Sequence, residues 1–476
     1  MLTHARIRST IAALCLSAAP LLLAAFLLVG CGMTSGNSVS NPGSSAAPAF
    51  VIGTDAPLAS VVSFNATIQS INAIDANNNS VPLLSGSPTV DFARFNGLQT
   101  LLDMNDVPAD TYTQIQVVFA SATVGYLQTG SGAPSIQTMP ASFTTNSVTQ
   151  TLANPLVVST EGPVGIHLDF RLDKSIQVSG GQIVVTNGDV VVTPTLDIRA
   201  VGPGDPGAYI DEFIAGVVNP TLSTQSFSIQ GPHGRTFTVN VNGQTEWDNG
   251  EGLSDLTSTS IVQISGVLDR ADSTIDADEV AILSQNGFYA AGQVTYVQQT
   301  ANNPASDFQL YVRGTLPATG SGVTDGQIAQ VNLSGSEKFF IYWMHNPLTE
   351  FLFNSSTLLP GQHVSVGGPL SGAANGDALS VKRVVLRNWG FNGTLVPNSI
   401  SNGTFQMNIN GFAGLLVPGQ PVTVYTGAGT SFRDGFNAIG DVSSATNIRV
   451  VGLLLKDPTS GNSVILARYI DDMDND

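Results

Sequence analysis

The residues of this chain that could do covalent or coordination chemistry are few and scattered. Among 476 residues there are 2 cysteines, Cys15 and Cys31, and 5 histidines. His167, His233, His345 and His363 lie far apart, and no His-Glu-x-x-His or His-x-His spacing sets two imidazoles on one face for a metal. His167 sits beside Leu168-Asp169-Phe170 and His233 in the turn Gly231-Pro232-His233-Gly234, so structural or solvent roles are expected. No Gly-x-Ser-x-Gly elbow supports a hydrolase nucleophile, and no glycine-rich loop precedes a lysine or a helix as phosphate binding requires. Two carboxylates could cleave a glycoside, but nothing singles out a pair. Asp276-Ala277-Asp278-Glu279 and the run from Asp471 to Asp476 gather oxygens that calcium could use, without the glycine and terminal glutamate of an EF-hand. A solvated strand face and a frayed acidic tail (471–476) are expected instead. No catalytic, cofactor-binding or metal-binding residue is assigned.

Cys31 stands apart by its context. A basic head (Arg6, Arg8) precedes an uncharged apolar stretch from Ile11 to Val29, and a polar run from Gly32 to Pro48 follows. That order is similar to a bacterial lipoprotein signal, in which the thiol takes up diacylglycerol and becomes the new N-terminus. The resemblance implies a signal peptide over 1–30, lipidation at Cys31, a flexible tether over 31–48 and the membrane as a partner through the lipid. The stretch approaches the ~20 residues that span a bilayer and exceeds a secretory core of ~7–15. An uncleaved anchor is therefore the competing reading, weakened by Pro20, Gly30 and the abrupt change at Gly32. Either way the basic head stays in the cytoplasm and the remainder is extracytoplasmic. Gly32, where an aspartate would retain such a lipoprotein in the inner membrane, favours the outer one.

Composition narrows the partners. Charged residues make up 11% and the net charge is −18. Without residues 1–30, which hold Arg6, Arg8 and no acid, 15 basic residues face 35 acidic ones, a charge of −20. Such a surface repels nucleic acid and anionic headgroups. The chain beyond Cys31 has no thiol for a disulfide, so hydrophobic cores must stabilise it, and its length allows more than one.

The elements that would position any site are strands. Val62, Phe64, Ala66 and Ile68 alternate with Ser63, Asn65, Thr67 and Gln69, and Ile115, Val117 and Phe119 alternate with polar or small neighbours. A period of two means one buried and one wet face. Asn77-Asn78-Asn79-Ser80 and Gly130-Ser131-Gly132-Ala133-Pro134 read as turns. Over Phe92–Met104 the spacing of Phe95, Leu98, Leu101 and Leu102 predicts a short helix. An all-β sandwich is expected over 49–202, ending at Gly202-Pro203-Gly204-Asp205-Pro206-Gly207. The motifs Gly53-Thr54-Asp55-Ala56-Pro57, Thr89-Val90-Asp91-Phe92 and Val107-Pro108-Ala109-Asp110-Thr111-Tyr112 resemble domain of unknown function 4382, as do Leu168-Asp169-Phe170 and Thr193-Pro194-Thr195-Leu196. That resemblance implies a lipoprotein β-sandwich, prealbumin-like, and no activity.

Beyond the boundary a pattern recurs three times. Gly216-Val217-Val218, Gly292-Gln293-Val294 and Gly393-Thr394-Leu395 open the copies. Thr245-Glu246-Trp247, Thr349-Glu350-Phe351 and Thr430-Ser431-Phe432 follow, then β-rich stretches ending at Gly266, Gly367 and Gly452, then a last strand. The copies resemble domain of unknown function 5666. The glycine turn Leu359-Pro360-Gly361-Gln362-His363-Val364 is replaced in the first copy by Leu256-Thr257-Ser258-Thr259, and the middle copy carries an apparent insertion from Asn302 to Gly326. Three small antiparallel barrels or sheets, somewhat like an OB-fold, are expected over 212–287, 288–389 and 390–470.

Trp247, Phe351 and Phe432 are expected to plug the core of each copy rather than form a ligand platform. Trp343 and Trp389 are the aromatic candidates for stacking on sugars. The expected function is that of a non-enzymatic, lipid-anchored cell-envelope protein presenting β modules to envelope proteins or glycans. A polysaccharide-binding accessory lipoprotein is the alternative, and an extracytoplasmic hydrolase a more distant one.

Overall fold

Alternating side chains build the first layer. Val61–Asp75 pairs along its length with Thr111–Gln128, placing Phe64, Ala66, Ile68, Ile115, Val117 and Phe119 on one buried face. The computed structural model describes residues 46–473 apart from 57–60, 96–97, 99, 129–134, 160–163, 180–181, 203–207, 232–233, 249–250, 271–273, 286, 300–303, 318–321, 343–350, 370–377, 411–413, 415, 418 and 434. The chain is all-β. Its first part is a sandwich: an eight-stranded sheet centred on that pair faces a four-stranded sheet ordered Leu196–Val201, Val164–Arg171, Ala46–Ala56, Thr100–Pro108. Phe64, Phe92, Phe119 and Phe170 fill the space between, with ring centroids 4.8 Å apart for Phe64–Phe170 and 5.1 Å for Phe92–Phe170.

The helix expected over Phe92–Met104 does not form. Phe92–Arg94 is a single 3-10 turn, and Thr100–Pro108 is a strand paired with Ala46–Ala56. Leu101 and Leu102 point to opposite faces, Leu102 into the sandwich and Leu101 into the neighbouring barrel. A strand buried on both faces loses its alternation, and the leftover spacing mimics a helix. Ala46–Pro48, the last residues of the expected tether, already belong to the first strand.

Three closed barrels follow. In the first, Tyr209–Ser223 lies between Ser226–Gln230 and Ile261–Arg270, and the sheet closes when Thr236–Asn240 pairs in parallel with Thr274–Ser284. Phe288–Gln298 occupies the same place in the second and Trp389–Leu395 in the third. Closing contacts recur as Gln330↔Ala378 and Thr423↔Val464, both parallel. This is the strand connectivity of an OB-fold barrel. The apparent insertion in the middle copy contains Asp307–Leu316, which is that barrel's second strand. The acidic tail begins later than expected: Asp471 and Asp472 are buried in the strand Ser463–Asp472, with Asp471 opposite Arg449.

In the first and third barrels the repeated residues form the same joint. Gly266 and Gly452 lie opposite Ala277 and Ala467 beside bulges, where a Cβ would sit 2.2 Å from the Asp276 carbonyl oxygen or 2.1 Å from that of Leu466. The hydroxyl of Thr245 donates to the Ala277 carbonyl at 2.8 Å, and that of Thr430 to the Ala467 carbonyl at 2.8 Å. The aromatic two residues on then packs inward, Phe351 buried and Trp247 and Phe432 half-buried against their cores. In the first barrel the missing glycine turn is replaced by hydroxyls: Ser260 Oγ accepts from the Thr257 amide at 2.9 Å.

Residues Ser44–Asp476 form one compact unit. Phe50 and Ile52 of the sandwich join the first barrel's core, Tyr289 and Ala291 of the second barrel pack on Ala281 and Leu283 of the first, and Leu453 and Leu466 of the third enter the second's core. No helix among the described residues is long and apolar enough to cross a membrane.

Candidate functional site

The sandwich and the three barrels meet at a buried cluster of charges. Glu212 comes from the first barrel's opening strand, His363 and Arg387 from the strands His363–Gly368 and Arg383–Arg387 of the second, and Arg94 from the sandwich's 3-10 turn. The Glu212 carboxylate lies 2.5 Å from Arg387 Nη2 and 3.5 Å from Arg94 Nη2. Arg387 Nη1 also donates to the Tyr289 hydroxyl at 2.5 Å. Arg387 is 1% exposed. A second pair, Arg313–Asp91, spans barrel and sandwich at 3.6 Å; Asp91 accepts the Phe64 amide, and Arg313 donates to the Gln293 carboxamide. Trp389 closes the cluster, its ring 4.6 Å from that of His363 and 4.9 Å from the Arg313 guanidinium carbon.

Electrostatics here are set by sealing. Burial pushes the Glu212 carboxyl up, but Arg387 and Arg94 outweigh it and hold it down at about 2. Burial drives His363 down to about 3, assisted by Arg387, while its Nδ1 lies 3.2 Å from the Asn388 carbonyl oxygen. Burial raises the Tyr289 hydroxyl to about 12. It also raises Asp91 despite Arg313. At neutral pH Glu212 holds no proton to donate and His363 is neutral. The cluster therefore acts as a latch: an ionised carboxylate shared by guanidiniums from two other parts of the fold.

A pocket of about 590 Å³ opens next to this strand, between the first two barrels. Its walls are Phe213, Ala215, Val217, Ile261, Leu316 and Pro317, with Gln230, Ser258, Thr259 and Ser260 on one side. Among the described residues lining it none is charged.

The residues named from sequence fare unevenly. His363 and Trp389 come together in the hub; Trp389 is 3% exposed and buried among protein groups, which removes it as a sugar platform. His167 lies in the sandwich strand Val164–Arg171, opposite Arg199. Cys31, residues 1–30, His233, His345 and Trp343 lie outside the described residues. Asp276 accepts from Asn240 at 2.8 Å, and Asp278 is exposed at the bulge. Among the described residues no group of acids, histidines or cysteines is placed to hold a metal ion. Sequence reasoning missed Glu212, Arg387 and Arg94. The one available signal was that Glu212 and Arg387 adjoin the apolar runs Phe213–Val218 and Val384–Leu386 of their strands.

Comparison with known families agrees with the two resemblances. Residues 51–194 match the family described as a domain of unknown function (DUF4382), and residues 215–281 match a second domain of unknown function (DUF5666). The first match covers most of the sandwich and the second the first barrel; the other two barrels share its strand connectivity. No curated protein matches the chain.

Proposed function

We propose that this chain is a non-enzymatic, lipid-anchored cell-envelope protein that holds its β barrels as a rigid display body. The observation that carries the reading is the latch at Glu212, which ties the second barrel to the first through the buried guanidinium of Arg387 and the sandwich through the half-buried one of Arg94. A body locked in this way presents loops in fixed relation to one another, as binding surfaces on rigid scaffolds require. Support for the anchor comes from Cys31 between an uncharged apolar run and a polar linker, and from the lack of any thiol beyond Cys31 in a chain stabilised by cores.

The test is labelling with palmitate in cells, followed by membrane fractionation. Label in the wild-type chain, its loss in Cys31→Ala, and recovery of the wild type with the outer membrane support the proposal. An unlabelled wild-type chain in the soluble cytosol overturns it. Crosslinking in intact cells then identifies the envelope components it contacts.

A further inference from the structure

The pocket between the first two barrels carries a second reading, independent of how the chain is anchored. Two observations bear on it. The first is its chemistry: an apolar wall of Ile214, Leu316 and Pro317, hydroxyls at one side only, and no charged side chain among the described lining residues. At ~30 Å³ per water-sized group, about 590 Å³ admits roughly 20 such groups, within the size range of ligand sites.

The second is Gly216. Its counterparts Gly292 and Gly393 are glycines because a Cβ would press on backbone, 1.7 Å from the Tyr311 carbonyl oxygen and 2.2 Å from that of Asn408. At Gly216 a Cβ would meet nothing within 4 Å. Neither packing nor a positive φ requires glycine there; what its bareness does is leave the pocket open along the strand Tyr209–Ser223. The side chains on Gly216's face of the pocket, Ile214 and Leu316, are aliphatic, so they offer no aromatic face for a sugar.

We propose that this pocket binds one uncharged lipid chain: an alkyl or acyl group along Ile214, Leu316 and Pro317, on the face of the strand that Gly216 leaves bare, with a neutral hydroxyl-bearing head at Ser258 and Thr259. The head would lie on a chain of net charge −18 with no cationic side chain among the described lining residues, so a fatty acid is disfavoured relative to its glyceride.

The test uses residues 32–476, which contain the whole compact unit. Binding of the neutral probe N-phenyl-1-naphthylamine is followed by fluorescence, with displacement by 1-monomyristoylglycerol, myristate and maltoheptaose. One saturable site, displaced about tenfold better by the glyceride than by myristate and not at all by the sugar, is expected. Gly216→Leu fills the opening and weakens binding about tenfold with an unchanged unfolding temperature. If that variant fails to fold, Gly216→Ala serves, shifting the preference toward shorter glycerides. Absence of saturable binding, displacement by maltoheptaose alone, myristate equal to the glyceride, or unchanged binding and chain-length preference in the Gly216 variants overturns the proposal.

Discussion

The carboxylate of Glu212 and the guanidinium of Arg387 meet at 2.5 Å although they belong to different barrels. Each is buried, so removing one leaves the other's charge poorly compensated. Glu212→Gln keeps the shape but leaves Arg387 charged in a dry site. Unfolding in urea is expected to show a loss of about 3–5 kcal/mol, and a loss under ~1 kcal/mol would show the pair to be solvated.

Acid acts on the same cluster in two windows. His363, held at about 3 against an ordinary 6.5, stays neutral in the fold while the unfolded chain takes up a proton. Its contribution is complete above pH 6.5 and is lost as pH falls toward 3. The slope is at most about 1.4 kcal/mol per pH unit. Glu212, at about 2 against 4.5, adds stability that is complete above pH 4.5 and lost on falling through 2. Denaturation midpoints measured between pH 7 and 5 lie above the window of Glu212, and the difference between the wild type and His363→Phe across that segment gives the share of His363.

Trp389 was a candidate for sugar stacking and is instead wedged between His363 and Arg313. Trp389→Ala is expected to lower stability by about 3–5 kcal/mol, as truncation of a core aromatic does. A normally stable variant whose defect is confined to glycan binding would contradict the buried placement.

At the recurrent joint, Thr430→Val removes the hydroxyl that serves the Ala467 carbonyl and should cost about 1 kcal/mol, with Thr430→Ser retaining most of it. Gly452→Ala places a methyl against backbone and should cost about 1–3 kcal/mol. Thermal unfolding of the three variants orders them, and an indifferent Gly452→Ala would mean that the bulge relaxes freely.

Much of the architecture was written locally. The alternation at Val62–Gln69, the threefold glycine and Thr-x-aromatic pattern and the scarcity of thiols and paired histidines sufficed for an all-β chain with a sandwich and three related units. Periodicity failed where strands are buried on both faces, as at Leu101 and Leu102, and where a strand was mistaken for an insertion, as at Asp307–Leu316.

The hub was illegible for a different reason. Alternation reports which side of a strand is apolar, and is silent about what stands opposite. Arg94, Glu212 and Arg387 each read as an ordinary charge, and Trp389 as an exposed ring, until barrel closure and packing brought their backbones together. Residue order alone settled that the chain is built of strands and that three of its units are related. Which distant charges share one dry space was decided only by the folded whole, because desolvation and pairing depend on neighbours that chain order does not supply.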